Sequence, residues 1–127
     1  MENILTINNL TISFKNNLKV VKKINIKIPA GKTVAIVGES GSGKTLSALS
    51  ILKLLPTNAI IDEGEIIYKE NNLLNIPNNQ IEKIRGNKIS TIFQEPMSSL
   101  NPLHNIKKQI NEIITNHSNI SEKEATE

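Results

Sequence analysis

Gly38-Glu39-Ser40-Gly41-Ser42-Gly43-Lys44-Thr45 decides how this chain is read. The stretch fits G-x-x-x-x-G-K-[ST], a phosphate-binding loop, and its flanks supply the context that the pattern needs. Thr33-Val34-Ala35-Ile36-Val37 precedes it, a short apolar run of the kind that forms a buried parallel strand. Residues 46–55 follow it, rich in helix formers and stopped by Pro56. Strand, glycine loop and helix in this order predict an α/β domain of the P-loop type.

The spacing has a chemical reason. A triphosphate needs many hydrogen-bond donors and little bulk beside it. Gly38, Gly41 and Gly43 are expected to turn with positive φ and let the backbone come close. Successive N–H groups then form a concave anion site, and the next helix adds its free N-terminal N–H groups. Lys44 is placed to reach the β- and γ-phosphates, and Thr45 to offer a hydroxyl to Mg²⁺. The plain alternative, a glycine-rich turn that binds nothing, does not account for the flanking strand and helix.

Length and composition set limits. The 127 residues make one domain at most, and 38% of them are hydrophobic but only 2% aromatic, so the core must be aliphatic. Net charge is +3, and the lysines are scattered without aromatic interleaving, which argues against nucleic-acid binding. There is no cysteine, so disulfides and thiolate metal sites are excluded. No apolar run is long enough to span a bilayer, and no signal peptide opens the chain. A membrane role is therefore expected through a partner and not by direct insertion.

Along the chain, residues 4–14 and 20–28 read as two strands with one wet face each, pairing with each other beside a buried parallel sheet. Asp62-Glu63-Gly64 reads as part of a polar loop and residues 65–69 as a strand. Pro77-Asn78-Asn79 starts a short helix through Ile81, Ile84 and Arg85 that Gly86 ends. Ile89-Ser90-Thr91-Ile92-Phe93 reads as a second central strand, running into an exposed turn at Gln94-Glu95-Pro96. Ile106, Gln109, Ile110, Ile113, Ile114 and His117 lie at helical spacing, the pattern of a half-buried helix. Ser121-Glu122-Lys123-Glu124 matches a capping box, so a further helix begins there and is expected to continue beyond residue 127.

Taken together, these residues resemble the ATP-binding subunit of an ATP-binding cassette (ABC) transporter. Residues 37–45 match that family's Walker A. Ile92-Phe93-Gln94-Glu95-Pro96-Met97-Ser98-Ser99-Leu100-Asn101-Pro102-Leu103 is more specific and resembles the Q-loop of the oligopeptide, dipeptide and nickel importers. Arg85-Gly86-Asn87-Lys88-Ile89 and Leu103-His104 are most similar to the double-length YejF-type peptide importer ATPase. The resemblance runs through the whole chain but covers only the first part of the family's domain. Residues 1–127 are thus expected to be a truncated nucleotide-binding domain: the N-terminal part of an ABC-type P-loop NTPase, with an antiparallel β subdomain and the start of a helical subdomain.

The resemblance implies roles. Gly38, Glu39, Ser40, Gly41, Ser42, Gly43, Lys44 and Thr45 would hold the phosphates of ATP. Phe14 falls where the family stacks an aromatic on adenine; a core position on an edge strand explains it equally well. Thr45 and Gln94 would contact Mg²⁺, and Gln94 the attacking water, which an uncharged amide can orient. The segment after Gln94 would be the hinge that senses the transmembrane subunit, with residues 105–117 part of the same docking surface. Implied partners are transmembrane permease subunits, a second ATP-binding subunit and, indirectly, a periplasmic peptide-binding protein. The implied place is the cytoplasmic face of a bacterial inner membrane, peripheral through the permease.

The departures also matter. The family's LSGGQ signature, Walker B strand, catalytic glutamate and switch histidine have no match in these residues. His104 and His117 precede that switch, and Glu95 does not match the catalytic base. Glu70 stands where relatives often carry a turn glycine, a mild strain on that hairpin. Beside the reading as an ATPase subunit for peptide import stands another, an inactive remnant of a split or frameshifted gene that binds nucleotide weakly. A GTPase or a chromosome-associated ATPase is a third, against which residues 94–103 argue.

Overall fold

A computed structural model describes residues 2–94 and 100–127 of the chain. It divides into two compact units, Met1–Ile81 and Glu82–Glu127. The first holds an antiparallel sheet in the order β2-β1-β3-β4, made of β1 (Asn3–Phe14), β2 (Lys19–Pro29), β3 (Ala59–Tyr68) and β4 (Asn71–Asn72). Helix α1 (Lys44–Ser50) belongs to the same unit. The expected pairing of the first two strands is found, with Ile7 opposite Ile26 and Ile12 opposite Val21.

The core of this unit is aliphatic, as the composition requires: Leu5, Ile7, Leu10, Ile12, Val21, Leu52, Ile66, Leu73 and Ile81 are buried, with Tyr68 beside them. Leu5 and Ile7 are odd-numbered, Leu10 and Ile12 even. A strand of period two cannot bury both pairs on one face unless an extra residue intervenes. A β-bulge supplies it. Two steps of β3, from Glu65 to Glu63, span three of β1, from Asn8 to Thr11. Asn9 takes a φ of 49° there, a conformation that asparagine tolerates, and its N–H donates to Asn25 Oδ1 at 3.0 Å. A second bulge in β2 puts Lys23 at φ 48°, its N–H held by Thr11 Oγ1 at 3.1 Å. The side chains thus take up the amides that the ladder releases.

Gly64 lies opposite the first bulge. Sequence reasoning placed Asp62-Glu63-Gly64 in a loop; in the structure all three lie within β3. Asp62 and Glu63 are exposed although they lie in the strand, and Glu63 accepts from Thr11 Oγ1 at 3.3 Å and meets Lys23 Nζ at 3.8 Å.

Three further expectations need correction. Residues 33–37 form no strand among the described residues, and Val37 is 89% exposed. Residues 89–93 likewise form no ladder: Ile89 makes a single bridge to Arg85, and Ile92 is 98% exposed. Parallel strands have no partner of their own hairpin and depend on strands brought in by crossovers. Neither segment has such a partner among the described residues, so apolar sequence alone does not make it a strand. Helix α1 is also shorter than residues 46–55. It ends in a Schellman motif, with Leu54 N–H donating to Leu49 O at 3.0 Å and Lys53 N–H to Ser50 O at 3.3 Å. Lys53 stands at φ 55°, where glycine is usual, so the chain leaves the helix before Pro56 could stop it.

Helix α2 (Asn78–Ile84) spans the boundary between the units. Gly86 follows it at φ 74°, as the sequence predicts. The second unit contains α3 (Ile106–His117) and α4 (Glu122–Thr126). Asn105 caps α3 by accepting from Lys108 N–H at 2.8 Å, and Ser121 caps α4 by accepting from Glu124 N–H at 3.2 Å. The two helices meet through buried Asn111, whose Nδ2 donates to Thr126 Oγ1 at 2.9 Å. The face of α3 expected to be half-buried is open at Ile106, Ile110 and Ile113 and half-buried at Gln109, Ile114 and His117. The helix turns its polar Asn111 inward to α4 and Ile106, Ile110 and Ile113 outward.

Candidate functional site

The loop of residues 38–45 lies in the first unit and is tied to the sheet at its end. A Cβ at Gly43 would stand 2.7 Å from Val21 Cγ2 and 3.2 Å from the Val20 carbonyl oxygen, so only glycine lets the loop rest on β2. Gly41 and Gly43 have φ of 80° and 93°, as expected. Gly38 is not among the positive-φ residues; what it supplies is room, because a Cβ there would meet Ser42 Oγ at 2.8 Å. Ser42 N–H closes a turn on Glu39 O at 3.2 Å, and Ser47 N–H begins the helix on Gly43 O at 2.9 Å.

Lys44 lies over the loop that it ends. Its Nζ donates to the carbonyl oxygens of Gly38 and, at 2.9 Å, of Glu39. These are weak acceptors for a full positive charge, and a phosphate oxygen is a stronger one. Thr45 is exposed, and its hydroxyl makes no hydrogen bond among the described residues, so it is free to meet a cation. Ser47 and Ser50 instead turn back onto the helix, Ser47 Oγ to Gly43 O at 2.7 Å and Ser50 Oγ to Ser47 O at 2.6 Å. A Mg²⁺ fits one hydroxyl of this kind, since such an ion keeps several waters and takes phosphate oxygens for most of its shell.

Phe14 ends β1 and is half-buried. Its N–H donates to Leu18 O at 2.9 Å, closing the β1–β2 hairpin. Gly43 rests on Val20 and Val21 just past that hairpin, so Phe14 and the end of the loop share one end of the sheet. Gln94 belongs to the second unit, where it is exposed. The rest of the expected turn, Glu95, Pro96, Met97, Ser98 and Ser99, lies outside the described residues.

Sequence reasoning missed one residue of the second unit. Gln109 was read as part of the apolar face of a helix, yet its amide is directed to the preceding loop, with Oε1 accepting from Asn101 N–H at 2.9 Å. Its signal was a polar residue set between Ile106 and Ile110 at that spacing.

Comparison with known proteins places this geometry. The family described as ABC transporter matches residues 21–127. The chain is 44% identical over 120 residues to an uncharacterized ABC transporter ATP-binding protein, YejF, of Escherichia coli strain K12, covering 91% of this chain and 23% of that protein. It is 42% identical to the dipeptide transport ATP-binding protein DppD of Lactococcus lactis subsp. cremoris, covering 91% of this chain and 34% of the relative. It is 43% identical to the oligopeptide transport ATP-binding protein AppD of Bacillus subtilis, covering 98% and 39%. The chain therefore spans well under half the length of these curated relatives. No helix among the described residues is long and apolar enough to cross a membrane.

Proposed function

We propose that this chain, which belongs to the ABC transporter family, is the nucleotide-holding front part of an ATPase subunit that drives peptide import. The observation that carries the reading is the loop of residues 38–45, with Gly43 where a side chain would collide with β2 and Lys44 lying over the loop's carbonyls. The names of relatives that serve dipeptide and oligopeptide transport support the substrate class.

In this reading, the N–H groups of residues 38–45 receive the phosphates of ATP, and Lys44 exchanges its two carbonyl acceptors for β- and γ-oxygens. Thr45 would hold Mg²⁺, which neutralises charge between the phosphates when bound. Phe14 supplies an aromatic face to adenine at the same end of the sheet. Gln94 orients water, and the segment after it, with the 105–117 region, receives a permease subunit at the cytoplasmic face of the membrane. A second ATP-binding subunit would close the site, and a periplasmic peptide-binding protein would act only through the permease. Residues 1–127 would correspond to the first part of the complete nucleotide-binding domain.

Calorimetric titration of ATP into the chain and into Lys44→Ala tests the assignment. Clear binding that the substitution weakens is the expected result; equal affinity for the two would sink it. For the partner, a cysteine at Ser98 in the complete subunit should cross-link to a co-expressed peptide permease, and failure to do so would remove the docking role.

A further inference from the structure

Gln109 lies in the first turns of α3 and commits its side-chain amide to the loop before the helix. Oε1 accepts from Asn101 N–H at 2.9 Å. Nε2 donates to Asn101 O at 3.1 Å and His104 O at 2.9 Å, with Asn105 O at the margin, 3.5 Å. One side chain thus pairs both backbone groups of Asn101, as a neighbouring strand would. The amide suits this because it carries donors and an acceptor in one plane. Inside the loop, Asn101 Oδ1 accepts from Leu103 N–H at 2.9 Å and His104 N–H donates to Asn101 O at 3.2 Å. Among the described residues, nothing else in residues 101–104 is hydrogen-bonded to α3.

We propose that Gln109 is a positioning residue that locks residues 101–104 onto α3, so that a permease pressing on either one moves both. The inference rests on the reading that this region meets the permease. It assigns to the lock what the motif does not: the mechanical connection. Leu103 is 87% exposed on the loop, and Ile106 and Ile110 are exposed on the helix, so each half of the locked piece offers a partner an apolar handle. A free loop would give way under Leu103 without displacing the helix.

Two measurements test the proposal, each with Gln109→Met, which keeps length and helix propensity but removes both polar groups. The first is amide hydrogen exchange on this chain. Exchange at Asn101, Leu103 and His104 should quicken about tenfold or more, the scale of losing a few net hydrogen bonds from a local closure. Exchange in the last turns of α3 should not change. Unchanged exchange at Asn101, or a uniform increase through both helices, overturns the lock. The second uses the complete subunit assembled with its permease. The stimulation of turnover by transport substrate should fall. Exchange that quickens with stimulation intact overturns the coupling role. Should Lys44→Ala leave ATP binding untouched, the functional reading has failed on its own account, and the exchange result still decides the lock.

Discussion

The Lys44 ammonium and the Glu39 carbonyl oxygen are 2.9 Å apart, so the loop's only lysine is held by the loop's own backbone. The cation is therefore already over the loop whose N–H groups would receive a phosphate. Lys44→Ala should weaken ATP binding about 10- to 100-fold, the scale of one lost charged hydrogen bond. Titration calorimetry at fixed Mg²⁺ measures it.

Gly64→Ala should be among the most damaging single substitutions in the sheet. The added Cβ would stand 2.6 Å from Leu10 Cα and 2.9 Å from Asn9 O, and Gly64 has a φ of 120°. The backbone of β1 cannot yield as a side chain can. A loss of about 2–4 kcal/mol is expected, from overpacking and from backbone strain together. Urea denaturation followed by circular dichroism provides the comparison.

The β3–β4 turn offers the opposite case. Lys69 and Glu70 have φ of 46° and 68°, a two-residue turn of the I′ kind that prefers glycine at its second place. Glu70→Gly should stabilise the chain by about 0.5–1 kcal/mol, relief of the left-handed strain less the added freedom of the unfolded chain. An unchanged or lowered thermal midpoint would count against the strain that the sequence suggested.

Exposed apolar segments should govern solution behaviour. Val37 and Ile92 stand almost free in segments without ladder partners among the described residues. Apolar, unpaired strand sequence is a template for association. Val37→Lys and Ile92→Lys should each lower concentration-dependent light scattering of the chain, with no loss of the antiparallel sheet signal.

A polypeptide of these 127 residues should release no phosphate from ATP at a useful rate. In the proposed reading Lys44, Thr45 and Gln94 would hold and orient, but phosphoryl transfer needs a positioned base and charge stabilisation from several sides. A steady-state phosphate assay decides it; turnover that disappears with Lys44→Ala would reveal a base among these residues.

What was legible in the sequence follows from how local each signal is. The first hairpin, the Asn78–Ile84 helix with Gly86, and the cap at Ser121 depend on neighbours a few residues away. The phosphate loop is local too, although Gly38 turned out to supply space and not a left-handed φ. Residues 33–37 and 89–93 were misread because a parallel strand exists only with remote partners. The bulges left one trace, the change from odd to even numbering between Ile7 and Leu10. Gln109 was misread because periodicity reports which face a side chain lies on, not which way its amide reaches.

The bulge at Asn9 also sets what kind of change this strand can absorb. Deleting Asn9 alone would leave almost every residue type in place, yet would exchange the sides of everything before it. Leu5 and Ile7 would face outward, and Thr6 and Asn8 would face the core. Strand β1 should therefore accept many replacements of Asn9 far more readily than its loss. Sequences descended from this one should vary here in identity while keeping a constant count of residues between Ile7 and Leu10.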